Sequence, residues 1–287
     1  MSNTEVSAAE IERLKEYVGR SISETDMVDP HVPERFAATL DVDFDGDALP
    51  ALWHYGLFLV KVPTSRLGPD GHPPRGVFLP PVRLPRRMFA GSDLAFHAPL
   101  RIGKAVTCVS RIASVDLRSG KSGPLIFVRV AMTLSQGDAV CIEEEQTLVY
   151  REAGPAMPAV VEKPRQPPAE GEIAEEWLPS SVELFRYSCA TFNSHRIHYD
   201  LPYAKDEEGY PALVVHGPLI ATRLAAFATR IAPGPLLRFT FRGEAPSFVD
   251  QPIRLVGRVE NDACLVRAER ADGVTAMSAK AIFTRCG

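Results

Sequence analysis

Residues 216–231 read HGPLIATRLAAFATRI. Ile220, Leu224, Phe227 and Ile231 recur at helical spacing, while Thr222, Arg223, Thr229 and Arg230 hold other positions and alanines fill much of the rest. That pattern predicts one long helix largely buried against a sheet. Proline is favoured at the first helical position, so Gly217 is the expected N-cap and Pro218 the first helical residue. Downstream, LLRFTFRG (236–243), IRLVGRV (253–259), CLVRAER (264–270) and VTAMSAKAIF (274–283) alternate apolar with polar residues and are cut by Gly and Asp turns. This is the signature of an antiparallel meander.

The first half of the chain repeats the order. AVTCVSRIASVDL (105–117), PLIFVRVAMTL (124–134) and AVCIEEEQTLVYR (139–151) read as strands, with turn-like RSGKSG and SQGD between them. Ala98-Pro99 lies eight residues before Val106, and Ala245-Pro246 lies eight before Ile253, each preceded by an aromatic, Phe96 and Phe241. A matching motif within a matching strand order suggests a duplicated module. DALPALWHYGLFLV (47–60), with Pro50 near its start, is the expected helix of the first copy. Residues 152–176 are rich in Pro, Ala and Glu and read as an extended linker. One long helix wrapped by a curved antiparallel sheet is the hot-dog arrangement. The expected fold is therefore α+β, a double hot dog with a first module at 1–151, a linker at 152–176 and a second module at 177–287.

The chain has 287 residues, 45% apolar and 24% charged, with a net charge of −4. This is the balance of an ordinary globular protein, and it argues against a nucleic-acid binder working through a strong positive field. No apolar run approaches the ~20 residues of a membrane span. The N-terminus, MSNTEVSAAEIERLKEYVGR, lacks the apolar stretch of a secretory signal and suits a short amphipathic surface helix. Five scattered cysteines, Cys108, Cys141, Cys189, Cys264 and Cys286, show no CxxC spacing, so the expected setting is a reducing cytoplasm.

Chemistry is expected in TFNSHRIHYD (191–200) and EGYPALVVHGPL (208–219). His195, His198 and His216 lie close in sequence, but no HExxH or carboxylate spacing accompanies them, so no metal site is expected. A glycine opening a helix places its N–H at the positive end of the helix dipole, where it can hold an oxyanion; the same dipeptide also serves as an ordinary helix start. No GxSxG, GxGxxG or P-loop pattern occurs.

Together these two stretches resemble the signature of the MaoC-like, or hydratase-2, family of (R)-specific enoyl-thioester hydratases. In that family a catalytic Asp and His stand five residues apart and an H-G pair opens the hot-dog helix. Laid on NSHRIH, the catalytic His falls on His198 and the oxyanion glycine on Gly217. Asn193 stands where the family has Asp, His195 where it has Asn, and Arg196 where it has Pro. These departures, with LGPDGHPPRGVFLPPVRLPRRMFAGSDLAFHAPLRIG (67–103), resemble the branch holding mesaconyl-C4-CoA and itaconyl-CoA hydratases and hydroxyacyl-thioester dehydratase type 2.

The resemblance implies a hydro-lyase that adds water reversibly to an α,β-unsaturated acyl-CoA, with mesaconyl-C4-CoA or a similar short branched dicarboxylic acyl-CoA as substrate. A dehydratase of longer 3-hydroxyacyl-ACP or -CoA chains, a thioesterase and a non-catalytic acyl-CoA-binding subunit are the alternatives. No separate cofactor is implied, since CoA is part of the substrate. His198 would be the acid–base, Gly217 N–H the oxyanion donor, and Asn193 a holder of the attacking water through its side-chain oxygen. The missing acid is met either by His198 alone or by another carboxylate, of which Asp200 and Glu208 are nearest. His195, His216 and Tyr199 are expected near substrate, Arg196 on a distal carboxylate, and Arg86 and Arg87 on CoA phosphates. The first module carries no counterpart of Asn193–His198, so one site per chain is expected. The pseudo-dimeric chain leaves room for a homo-oligomer.

Overall fold

A computed structural model describes residues 6–120, 123–232 and 234–284. In chain order the elements are α1 (Ala8–Lys15), β1 (Ser21–Met27), α2 (His31–Leu40), β2 (Arg86–Phe96), β3 (Ala105–Gly120), β4 (Gly123–Gln136), β5 (Ala139–Arg151), β6 (Ile173–Trp177), α3 (Ser181–Thr191), α4 (Gly217–Ile231), β7 (Leu236–Gly243), β8 (Ile253–Glu260), β9 (Ala263–Glu269) and β10 (Thr275–Phe283). Among the described residues ten strands form one sheet in the order β1-β3-β4-β5-β2-β7-β10-β9-β8-β6, every pair antiparallel. The order reads the same from both ends once β1 to β5 are matched to β6 to β10 by their place in the chain. This is the pseudo-twofold symmetry of a double hot dog. The two halves join at the centre, where Gly91 to Ala95 of β2 pair with Arg242 to Arg238 of β7.

The helix read from HGPLIATRLAAFATRI forms over Gly217–Ile231 and buries Leu219, Ile220, Leu224 and Phe227 together with Ala221, Ala225 and Ala228. Small residues on both partners let it nest on the sheet. A Cβ added at Gly257 of β8 would stand 2.8 Å from the Phe227 ring, so a glycine is required for this close approach. His216 is the N-cap, Gly217 the first helical residue and Pro218 the second, so the helix starts one position earlier than the expected cap at Gly217.

The first module departs from expectation. Residues 47–60 form no long helix. Ala48 bridges to Arg101, Leu52 takes a left-handed backbone (φ 69°), and only Trp53–Gly56 coil, as a single 3-10 turn. Pro50 and Gly56 interrupt the run, and Leu52, Trp53 and Leu57 enter the core as a plug rather than as a helix face. Trp53 stacks on Phe36 of α2 at 5.6 Å, and a Cβ at Gly56 would meet Phe36 at 2.7 Å. Beside this turn lies Glu144, fully buried, accepting from Tyr55 Oη (2.8 Å), Ser92 Oγ (2.7 Å) and Gln146 Nε2 (3.2 Å) and facing His54 Nε2 at 3.0 Å. The interior of this half holds a polar network centred on Glu144, with His54 Nδ1 left buried and without a hydrogen-bond partner. Residues 173–177, at the end of the stretch read as linker, pair as β6 with β8. Among the described residues no helix is long and apolar enough to cross a membrane.

Candidate active site

The stretch 191–200 is shaped by how α3 ends. Phe192 caps the helix in a left-handed conformation (φ 49°), and the Asn193 N–H returns to the Ser188 carbonyl at 2.8 Å. The Asn193 Oδ1 then accepts the His195 N–H at 3.0 Å. This is a local side-chain-to-backbone turn, of the kind Asn favours. The oxygen expected to hold a water is therefore engaged in setting the bend that leads into the 3-10 turn Arg196–His198.

His198 is buried, and its Nδ1 lies 2.7 Å from the Val214 carbonyl. A carbonyl only accepts, so Nδ1 carries the proton and Nε2 keeps its lone pair. The same two segments are tied by Val214 N–H donating to the Ile197 carbonyl at 3.0 Å. Burial pushes the His198 imidazole down to about 4, although the hydrogen bond to Val214 works the other way. The ring is a neutral base across the physiological range.

His216 stacks on His198, with ring centres 3.6 Å apart and planes 19° apart. It is fully buried, and its Nε2 lies 2.9 Å from Ser188 Oγ. Burial pulls its pKa well below the ordinary value. The structure thus puts His216 behind His198 as its support, not on a substrate surface. His195 stands edge-on to His198 at 5.4 Å; burial, then the fields of His72 and His198, lower its pKa.

The fourth imidazole comes from the first module. His72 lies 4.1 Å from the His195 ring, and its Nδ1 is 3.1 Å from Asp70 Oδ2. The His72 N–H donates to Asp70 Oδ1 at 2.9 Å. Burial alone would raise the Asp70 carboxyl, but these two hydrogen bonds and the nearby histidines hold it well below the usual carboxylate range. Burial lowers His72, and Asp70 only partly offsets that.

The loop that carries Asp70 and His72 is clamped to the segment 191–200. Ser194 Oγ donates to the Gly71 carbonyl at 2.6 Å, and the Arg196 N–H donates to the Asp70 carbonyl at 3.0 Å. Gly71 has φ 84°, and a Cβ there would collide with the Ser194 carbonyl, so only glycine serves. Asp70 and His72 were not singled out from sequence. The DGH triplet was visible, but more than a hundred residues separate it from the motif it joins.

The remaining candidates fall in different places. Arg196 is half-exposed, bound to Asp200 Oδ2 through Nε (3.0 Å) and Nη2 (2.8 Å), and lies 4.1 Å over the Tyr203 ring. Arg86 is ion-paired with Glu208 and donates to the Glu207 carbonyl at 2.6 Å. Two of the three cations expected on substrate are therefore engaged within the chain, and so are Asp200 and Glu208, the two acids considered as substitutes for the missing carboxylate. Tyr199 is half-exposed, with its hydroxyl on the Ser194 carbonyl at 3.2 Å. Arg87 differs. It is half-buried on β2, opposite Tyr150 of β5, meets the Tyr150 side chain with its guanidinium, and has no carboxylate or carbonyl partner among the described residues. Its charge is felt at His72 and His195. Among the described residues no group of three His, Cys, Asp or Glu side chains is placed to hold a metal ion.

The mouth of α4 lies open beside this cluster. The Gly217 N–H has no acceptor among the described residues, and a Cβ there would meet only the Phe89 carbonyl, at 3.9 Å. Phe89 stands where β2 breaks register, between Phe89 and Gly91, a bulge of the kind that re-aims backbone at functional sites. What results is a fixed-tautomer base beside a free helix N-terminus, flanked by a carboxylate-backed imidazole and a guanidinium that has no carboxylate of its own.

The depressed histidines carry a stability signature. Folded His198 stays neutral until about pH 4, whereas the unfolded side chain takes up a proton near its ordinary 6.5. Stability is therefore fully present above about pH 6.5 and declines as pH falls from there to about 4, by about 3 kcal/mol from this residue alone. Urea midpoints measured across that window are expected to fall on acidification, and less steeply in His198→Gln. Equal slopes in the two proteins would remove His198 as the cause.

The family model for hydroxyacyl-thioester dehydratase type 2 matches residues 52–249. The chain is 48% identical over 231 residues to the mesaconyl-C(4)-CoA hydratase of Chloroflexus aurantiacus, covering 80% of this chain and 82% of that one. Among solved structures, a MaoC-like dehydratase superposes with a TM-score of 0.68 at 16% identity, over 95% of this chain and 100% of that one. A conserved protein of Mycobacterium tuberculosis with a double hotdog fold superposes with a TM-score of 0.56 at 14% identity, over 92% and 96% of the two chains. The duplicated hot-dog architecture agrees with these likenesses, and the match of sequence across the histidine-bearing loops and the opening of α4 makes this chain a member of the hydroxyacyl-thioester dehydratase type 2 family.

Proposed function

We propose that the protein is a hydro-lyase that reversibly adds water across the C=C of an α,β-unsaturated acyl-CoA, with mesaconyl-C4-CoA or a similar short branched dicarboxylic acyl-CoA as its substrate. The observation that carries this reading is His198: a buried, neutral imidazole with Nδ1 fixed on Val214 and Nε2 left as a base, next to the unpaired N–H that opens α4. The near relative that is a mesaconyl-C(4)-CoA hydratase supports the choice of substrate.

In this reaction His198 Nε2 takes a proton from water as the oxygen bonds to Cβ. The π electrons move onto the thioester oxygen, where the Gly217 N–H and the helix dipole stabilise the enolate. The same proton then passes from His198 to Cα, so both elements of water add from one side. Asn193 acts through the bend that presents His198. Arg87, not Arg196, meets the substrate's distal carboxylate, because Arg196 is already neutralised by Asp200. Four free cysteines, Cys108, Cys141, Cys189 and Cys264, suit a reducing cytoplasm; Cys286 lies outside the described residues.

The test is a substrate screen of the pure protein. Mesaconyl-C4-CoA is expected to lose its enoyl-thioester absorbance without release of thiol. Thiol release would mark a thioesterase instead. Turnover confined to long-chain 3-hydroxyacyl thioesters would move the assignment to a chain-elongation dehydratase.

A further inference from the structure

We propose that His72, held by Asp70, is a second catalytic imidazole, which accepts from the attacking water the hydrogen bond that His198 does not take. The proposal rests on the hydratase reading and adds to it a residue from the opposite module.

The chemistry of the two rings leads there. Asp70 is ionised and accepts from His72 Nδ1 at 3.1 Å, so His72 Nε2 is left as an acceptor. The Val214 carbonyl accepts from His198 Nδ1, so His198 Nε2 is also an acceptor. Two imidazole acceptors with fixed tautomers call for two O–H donors, and one water molecule supplies both. The O–H directed at His198 breaks: its proton goes to Nε2 and then to Cα, while the oxygen bonds to Cβ. The O–H directed at His72 survives as the hydroxyl of the product. No other reactant is needed.

The architecture supports this role. Asn193 stands where the family motif has a carboxylate, but its side-chain oxygen is closed onto the His195 N–H. Asp200 and Glu208 are neutralised by Arg196 and Arg86. The Asp70–His72 pair is the carboxylate-bearing group that the structure brings to the histidines, from a loop clamped by Ser194 and the Arg196 N–H. His72 keeps partial exposure, while His198 and His216 are buried. Groups facing His72 are Asp70, His195 and the guanidinium charges of Arg87 and Arg75. A carboxylate behind an imidazole fixes its tautomer, as in hydrolase triads.

The experiment compares His72→Ala, His72→Gln and Asp70→Asn with wild type on mesaconyl-C4-CoA. His72→Ala is expected to lower kcat by about 10- to 100-fold with a small change in KM. His72→Gln keeps an amide oxygen that accepts from water, and is expected to recover part of the loss. Asp70→Asn changes one atom and permits the other tautomer, so it is expected to lose activity like His72→Ala. A loop residue with only a structural role would show no advantage of Gln over Ala, and that pattern overturns the proposal. So does a His72→Ala enzyme as active as wild type. Nitrogen NMR of the imidazoles reads the tautomers without turnover: unprotonated Nε2 on both His72 and His198 is expected, and a protonated Nε2 on His72 overturns the proposal whatever the substrate. Wild type inert toward every enoyl-CoA would instead remove the hydratase reading, while activity insensitive to His72 would remove this inference alone.

Discussion

Alanine at position 198 is expected to lower kcat on the enoyl-CoA substrate by at least about 100-fold, the usual scale for losing a general acid–base. KM is expected to move little, because the ring acts on the water and on Cα rather than on the CoA moiety. The fold is expected to survive, since His198 sits in a turn and the packing behind it belongs to His216, Tyr187 and α4. Removing the ring leaves the Val214 carbonyl without its 2.7 Å donor, a loss of roughly 1–3 kcal/mol for a buried acceptor. His198→Gln separates the two effects. Its amide can donate to Val214 and restore stability, but it cannot carry a proton from water to Cα. Circular dichroism and denaturant midpoints of both variants, beside their kcat, distinguish chemistry from folding. A glutamine enzyme near wild-type turnover would end the acid–base role of His198.

That prediction concerns a residue legible in the sequence, and the reason is local. His198 and Gly217 lie on one short run whose motif survives in linear order, and α4 declares itself by an unbroken apolar stripe. The strands after it alternate cleanly, because one face of each packs on that helix. The first module was less legible. Leu52, Trp53 and Leu57 are as apolar as a helix face, but Pro50, Gly56 and the left-handed Leu52 turn them into a plug. The second strand, Arg86–Phe96, starts among prolines and carries a bulge, so its alternation is broken at Phe89. Asp70 and His72 were hidden for a different reason: they reach His195 only through the docking of two modules. Arg196 misled because position within a motif says nothing of a partner four residues on. Asp200 lies one helical turn away and captures the guanidinium.

Arg87→Gln is expected to raise KM for mesaconyl-C4-CoA at least about tenfold more than for crotonyl-CoA, which has no distal carboxylate. A half-buried guanidinium is costly without an anion, and the neighbouring cations show what satisfaction looks like here. Arg86 has Glu208, Arg196 has Asp200, and Arg75 donates to the carbonyls of Val82 (2.7 Å), Leu84 (2.6 Å) and Pro85 (2.8 Å). Arg87 has only the neutral Tyr150 side chain and no carboxylate or carbonyl among the described residues, and its field reaches His72 and His195. A charge-assisted bidentate pair is worth roughly 1.5–3 kcal/mol, which sets the tenfold floor. Arg196→Gln is the control. It breaks the pair with Asp200 and loosens the turn, so the two substrates are expected to suffer alike. If Arg87→Gln weakens both substrates equally, Arg87 serves the CoA phosphates common to them, as first expected from sequence. If Arg196→Gln alone discriminates, the salt bridge to Asp200 opens on binding and the distal carboxylate displaces it. Only a selective loss at Arg87 joins the dicarboxylate to the half-buried charge that lacks its own anion.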